Sequence, residues 1–405
     1  MLQLIIIILI VTYILERYLD WINIRHWSNN LPDELNGIYD ADKYSKAQQY
    51  EKAKTRFSFV TSTFSLGVTL ILLLTGSFAL LNNWVLIFTT HPVWSAIIFF
   101  VVLAFLSDLI NLPFSYYRTF ILEDKFGFNR TTIKTYVLDK LKGYLLGILL
   151  GGSLLYLFVW FYNTAGANFW WYAWIAFSVV MFLMTMFYSS VIVPLFNKLT
   201  PLPDGELRKA IETYCSKVGF KLNNLFVMDG SKRSSKANAF FSGMGSKKRI
   251  VLFDTLINNH TNDELVAVLA HEIGHYKKKH TRLAFILTIL QTGLMLFIFS
   301  KVIDNPSLSS ALGSSKPSLQ LGMLAFGILY SPLSLILGLM MNMVSRKNEY
   351  EADNYAKTTF NGESLINALK KLSVNNLSNL LPHPVYVFFY YSHPTLLERL
   401  RALRG

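Results

Sequence analysis

The chain has 405 residues and a formal net charge of +13, with 52% hydrophobic, 15% aromatic and only 16% charged residues. That balance excludes a set of ordinary soluble domains and points to a membrane protein. The basic residues fall between apolar runs and form no compact patch, so a positive-inside bias accounts for the charge and nucleic acid is excluded as a partner. The single cysteine, Cys215, excludes a disulfide framework and a cysteine metal cluster, and reads as a plain buried thiol.

Crossing roughly 30 Å of hydrocarbon takes about 20 apolar residues. Seven runs qualify, at 2–20, 58–81, 93–117, 143–162, 169–196, 282–303 and 319–344. The first, MLQLIIIILIVTYILERYLDW, lacks the basic flank and small-residue cleavage site of a secretory signal, and is expected to be a retained span. The segment after it carries Arg17, Arg25, Lys43, Lys46, Lys52, Lys54 and Arg56, whereas NNWVLIFTTHP after the second has no Lys or Arg. Arg118, Lys125, Arg130, Lys134, Lys140 and Lys142 follow the third, and NTAGAN after the fourth again has none. The alternation predicts an amino terminus outside, with the carboxyl terminus and the 197–281 segment in the cytosol. The tail RALRG shows no basic retrieval signal, which favours a bacterial inner membrane over an endoplasmic one.

Only 197–281, together with the tail after 345, is left to form a soluble unit. TPLPDGELRKAIETYCSKVGF predicts a turn and an amphipathic helix, with Pro201 and Pro203 before it and Gly219 near its end. NLFVMDG, NAFFSG and KKRIVLFDTL predict short strands, the last two paired as a hairpin around MGSKK. NPSLSSALGSSKPS at 305–318 is expected to be a flexible outer loop. Four regions follow: 1–196 with five spans, 197–281 as a cytosolic catalytic segment, 282–344 with the last two spans, and 345–405 completing the soluble unit.

His271, Glu272 and His275 stand as H-E-x-x-H. Residues four apart share a helical face, so both imidazoles can reach one ion while the intervening glutamate reaches a water upon it. Zinc in such a site makes that water acidic and polarises a scissile carbonyl, with the carboxylate taking the proton. Leu265, Val268, Leu269 and Ile273 fall at helical spacing, which places the motif on a packed helix. A third protein ligand is needed, and SRKNEYEADNYA offers Glu349 and Asp353, four apart on one face. One can bind the ion and the other can hold a ligand histidine by its second nitrogen. The plain alternative is a solvated face beside Arg346 and Lys347. At about 1.5 Å per residue, both motifs lie within roughly 10 Å of a span's end, so the ion sits near the cytosolic face and its substrate is membrane-attached or membrane-delivered. The fold class expected is an all-α polytopic membrane protein of seven transmembrane helices with a small cytosolic α+β zincin-like metalloprotease domain.

Taken in order, EDKFGFNRTT (123–132), VPLFNKLTPL (193–202), KANAFFSGMGSKKRIVLFDTL (236–256), HEIGH, SRKNEYEAD and YSHPTLLERL (391–400) closely resemble the Ste24 family of integral-membrane zinc metalloproteases, the CAAX prenyl proteases. The resemblance covers nearly the whole chain. It implies one Zn2+ held by His271, His275 and Glu349, with Asp353 behind the ligands and Glu272 as general base. NAFF resembles the family's substrate-binding segment, which makes Asn238, Ala239 and Phe240 substrate-binding candidates; an edge strand beside the metal helix can pair with an extended peptide. SHPTLLER implies His393 and Arg399 as residues that stabilise the oxyanion or organise the site, the alternative being that they brace a helix start. His280 and His260 fit no motif and are expected to be ordinary surface residues. The family also implies an internal chamber, which Ser62, Thr63, Ser65, Thr69, Asp108 and Asn111 would suit, Asp108 above all; helix–helix hydrogen bonding is the alternative.

The function implied is zinc-dependent hydrolysis of a peptide bond near the carboxyl terminus of prenylated CAAX-type substrates, within membrane lipid and with no oligomeric state specified. Two other classes fit parts of the chain. A quality-control protease of misfolded membrane proteins shares the metal motifs but belongs to a family with fewer spans. A non-enzymatic channel, transporter or scaffold is disfavoured because it would be free to lose Glu272.

Overall fold

The computed structural model describes residues 1–28, 31–221, 224–243 and 249–405. Helix α1 (Leu2–Arg25) packs on α2 (Ala41–Leu74), whose start is fixed by Asp40 accepting the Lys43 amide at 2.7 Å. The expected span 58–81 is two elements. Gly76 takes φ +66°, which turns the chain out of α2 and into the short α3 (Ser77–Phe88). Hydropathy ran through this break because both sides are apolar. Next comes α4 (Pro92–Tyr117), opened by Pro92 in the first helical turn. Then α5 (Ile133–Leu146) continues through a π-type stretch, Gly147–Gly152, into α6 (Ser153–Ala165). Gly166 at φ +54° reverses the chain into α7 (Phe169–Phe187), which lies against α6.

Six helical runs among the described residues are long and apolar enough to cross a membrane, and the run 133–196 folds back at Gly166 to supply two limbs. The protein is therefore a multi-pass membrane protein, and the fold-back makes seven apolar limbs among the described residues, the last two being α12 (His280–Val302) and α14 (Leu319–Ala356). Ile87, Leu145 and Leu74 remain largely exposed, as lipid-facing side chains do. Inside the bundle lie cavities of about 860 and 610 Å3, and Ser62, Ser65 and Thr69 line the second. Asp108 is paired: Lys140 Nζ reaches its two oxygens at 2.7 and 2.9 Å and the Tyr144 hydroxyl donates to it, so α4 is tied to α5. The 305–318 segment is no flexible loop. It folds as α13 (Pro306–Ser310) and a turn, because Leu308, Ala311 and Leu312 are buried in the core that α3 and α14 share.

After α7 a short helix, α8 (Val193–Phe196), leads into a four-stranded sheet in the order β1-β2-β4-β3. Its strands are β1 (Leu199–Pro201), β2 (Leu225–Met228), β3 (Ala239–Ser242) and β4 (Arg249–Phe253). Only β2 and β4 run parallel. Sequence patterning missed β1, whose Pro201 is tolerated because the strand is an edge. The pairing of β3 with β4 agrees with the hairpin, while MGSKK at 244–248 lies outside the described residues. The amphipathic α9 (Glu206–Lys217) buries Ile211, Tyr214 and Cys215. Its core joins α11 (Asn262–Lys277), α15 (Gly362–Asn375) and α17 (Leu396–Arg404) with Leu35 and Tyr39 from the α1–α2 connection and Tyr44 of α2. Arg233 clamps the sheet to α5 through two bonds to Asp139 at 2.7 and 2.8 Å. Segments 197–281 and 345–405 therefore share one core with the polar connections between membrane helices.

Candidate metal centre

The metal helix begins at a capping box. Thr261 Oγ1 accepts the Glu264 amide and Glu264 Oε2 accepts the Thr261 amide, which satisfies two otherwise orphaned donors and sets the register of α11. Leu265, Leu269 and Ile273 are fully buried beneath it. That fixes the opposite face, which carries His271 and His275.

Helix α14 crosses α11 at Gly274. A β-carbon there would stand 3.1 Å from both Ala352 Cα and Tyr355 Cβ, so only glycine permits this approach without displacement. The crossing brings the end of α14 beyond residue 344 onto the histidine face. Glu349 and Asp353 are 4% and 1% exposed, which rules out the solvated face.

Three donor groups converge. His271 Nε2 lies 3.1 Å from His275 Nε2 and 3.4 Å from Glu349 Oε2, and His275 Nε2 lies 3.2 Å from Glu349 Oε1. Ligands at about 2.0–2.1 Å around a tetrahedral ion are separated by roughly 3.3 Å, so the three edges fit a single cation. Glu349 Oε2 is buried without a hydrogen bond, an acceptor left open toward that position. Burial alone would favour a neutral His271, yet the carboxylates of Asp353 and Glu349 beside it outweigh this and push its pKa up to about 9. A positive charge is what these carboxylates call for, and a bound cation supplies it in place of the proton.

Both ring nitrogens facing away from the ion position are held. Asp353 Oδ1 lies 2.8 Å from His271 Nδ1, and Arg399 grips Asp353 with two bonds of 2.8 and 2.6 Å. His280 Nδ1 lies 3.0 Å from His275 Nδ1, with Glu351 3.2 Å from the far nitrogen of His280. His280 is thus a buried support of the site and no ordinary surface residue. Lys279 takes φ +63° and breaks the helix between α11 and α12, which folds His280 back beside His275. No periodic signal anticipates that fold-back. His260 is buried as well, with Nδ1 2.9 Å from the carbonyl of Leu256.

Glu272, His271, His275, His393, Asn238 and Phe240 face a common cavity of about 320 Å3. Burial raises the pKa of Glu272 above the usual carboxylate value. His393 reaches in from the loop before α17, its Nε2 3.3 Å from Glu349 Oε1, and is steadied by Ser392 Oγ at 2.9 Å from Nδ1. Asn238 and Ala239 enter the edge strand β3, which flanks the metal helix.

A metal-dependent peptidase seated at one end of a membrane helix bundle is the class that this architecture defines. Residues 21–198 match the family described as CAAX prenyl protease N-terminal, five membrane helices, and 201–405 match Peptidase family M48. The chain belongs to that peptidase family, in its CAAX prenyl protease group. It is 37% identical to CAAX prenyl protease 1 of Saccharomyces cerevisiae over 96% of this chain and 92% of that one. It is 35% identical to the CAAX prenyl protease 1 homolog of Arabidopsis thaliana, covering 98% and 96% of the two chains, and 32% identical to the Homo sapiens homolog, covering 93% and 89%. The crystal structure of S. mikatae Ste24p superposes with a TM-score of 0.95 at 37% identity, covering 100% of this chain and 99% of that one. These relatives are all eukaryotic, so the preference for a bacterial inner membrane has no support from them.

Proposed function

We propose that the protein is a zinc endopeptidase that hydrolyses a peptide bond near the carboxyl terminus of prenylated CAAX-type substrates. The observation that carries this is a half-buried glutamate, Glu272, sharing one cavity with His271, His275 and Glu349 beside the edge strand β3. The two-nitrogen, one-oxygen donor set suits zinc, which when bound supplies Lewis acidity and makes a water nucleophilic at neutral pH. Glu272 takes the proton from the attacking water and delivers it to the leaving nitrogen. His393 faces the same space and donates to the developing oxyanion. Arg399, committed to Asp353, acts as a positioning residue that keeps His271 oriented. Asn238, Ala239 and Phe240 bind the extended substrate along the edge of β3.

We further take 197–281 and 345–405 as one catalytic unit, served by membrane regions 1–196 and 282–344. The basic connections support a cytosolic unit and carboxyl terminus, with the amino terminus outside. All the groups named belong to one chain, so a monomer in membrane lipid suffices.

The test is a matched peptide pair, one farnesylated at its CAAX cysteine and one not, with wild type and Glu272→Gln, each assayed for zinc content. Cleavage of the farnesylated peptide by wild type alone, with zinc kept in the variant, is the expected result. Equal cleavage of both peptides would move the function toward general membrane proteolysis, and unchanged turnover in Glu272→Gln would remove the mechanism.

A further inference from the structure

Strand β3 is an edge strand, yet its free edge is already engaged where it begins, Asn238 Oδ1 accepting the Ala239 amide at 2.9 Å. Phe253 N donates to Asn238 O at 3.1 Å, so Asn238 turns its peptide groups toward β4. By strand alternation the peptide groups of Ala237, Ala239 and Phe241 turn to the free edge. At Ala237 that edge is taken. Asn376 Oδ1 accepts the Ala237 amide at 3.2 Å, and Asn376 Nδ2 lies 3.4 Å from the Ala237 carbonyl. One side chain thus makes both bonds that an added strand would make. The turn presenting it holds Leu377 at φ +49°, a conformation that residues with a β-carbon rarely adopt.

Beyond this closure lies a polar cavity of about 720 Å3, which adjoins the metal cavity through His393, Arg399, Leu369 and Leu372. Lys54, Lys236 and Arg399 stand on its wall with Glu51, which pairs with Lys54 at 2.6 Å; Glu123, which pairs with Lys236, and Asp353, which pairs with Arg399, do not line it. Asn379 Nδ2, buried and without a hydrogen-bond partner, belongs to another residue of the same wall.

Resting on the peptidase reading above, we propose that Asn376 is the end-stop of the substrate groove and that Lys236, with Lys54, receives the free carboxylate of the substrate's last residue. The charge sets the direction. A carboxylate at the Ala237 end means that the peptide runs antiparallel to β3. Residues before the cut then lie toward Ser242, where Phe240 packs on Tyr188 and Arg249 donates to Ser189 O at 3.3 Å, beside the end of α7. That side faces the membrane, which is where a lipidated residue must sit. From Ala239, which lines the metal cavity, to Lys236 is three residues, about 10 Å of extended chain. The space beyond the cut therefore takes about three residues, and the stop makes the enzyme measure from the carboxyl terminus.

The experiment uses one farnesylated CAAX peptide in three forms: free acid, carboxamide, and extended by two residues. With wild type, kcat/KM is expected to fall at least tenfold for the amide, carried by KM, and at least tenfold for the extended peptide. In Asn376→Ala the penalty on the extended peptide is expected to shrink below threefold, and in Lys236→Met the acid and amide are expected to converge. Equal cleavage of all three forms by wild type, a measurement independent of any variant's folding, would overturn the end-stop and leave the peptidase reading standing. No cleavage of any form by zinc-loaded wild type would overturn both.

Discussion

His280 Nδ1 lies 3.0 Å from His275 Nδ1, on the side of the ring opposite the nitrogen that faces His271. A ligand histidine held at its second nitrogen keeps its orientation and basicity, and loss of such a support costs roughly 10–100-fold in metal affinity. His280→Ala is expected to weaken zinc binding by about that factor while leaving the far-ultraviolet helix signal unchanged. Metal titration by calorimetry or chelator competition reads this, and wild-type affinity in the variant would reduce the contact to packing.

Gly274 allows α11 and α14 to touch. A methyl group at that position would begin 3.1 Å from Ala352 Cα and Tyr355 Cβ, so the helices must separate by a few tenths of an ångström. Overpacking of this kind typically costs 1–3 kcal/mol, and here it also moves Glu349 away from the histidines. Gly274→Ala is expected to lower the melting temperature of the purified protein and to weaken metal binding together. Because the contact is with the Ala352 backbone, Ala352→Gly in the same chain is expected to recover neither.

The membrane runs and the H-E-x-x-H face were legible because each depends on short-range periodicity. The pairing of Glu349 with Asp353 on one face was legible for the same reason, but which of them meets the ion depends on how α14 crosses α11, and that is set at Gly274 and Ala352. Residues 58–81 were read as one span because hydropathy is blind to the backbone turn at Gly76. The serine-rich 305–318 segment reads as flexible because Leu308, Ala311 and Leu312, although at i, i+3, i+4 spacing, make only a single turn among Ser, Gly and Pro residues. The sequence places His280 on the surface and gives no signal for Asn376 because each acts at a break, beside Lys279 and Leu377 with positive φ, where helical spacing no longer says which side chains meet.

Arg399 makes two parallel bonds to Asp353, and Asp353 in turn holds His271. Lysine keeps the charge but loses the planar fork. Arg399→Lys is therefore expected to retain the fold and lower kcat/KM by about 10–100-fold, with a parallel loss of zinc affinity. A loss of kcat with zinc affinity unchanged would instead place the guanidinium on the reacting substrate.

Metal binding and pH are linked through His271. Its pKa stands at about 9 in the metal-free fold against 6.5 for the free side chain, because Asp353 and Glu349 hold the cation more strongly than burial disfavours it. A raised folded-state pKa means that this proton stabilises the metal-free protein fully below about pH 6.5, and that the contribution is lost as pH rises through about 9. The metal needs the same ring deprotonated, so proton and ion compete. Zinc affinity is expected to rise on the order of a hundredfold between pH 6.5 and 9, while the melting temperature of chelated protein falls over the same interval. Asp353→Asn removes one of the two carboxylates that raise the pKa, and is expected to shift the affinity curve to lower pH. A zinc affinity flat across this window in wild type would mean that His271 is already neutral in the metal-free protein.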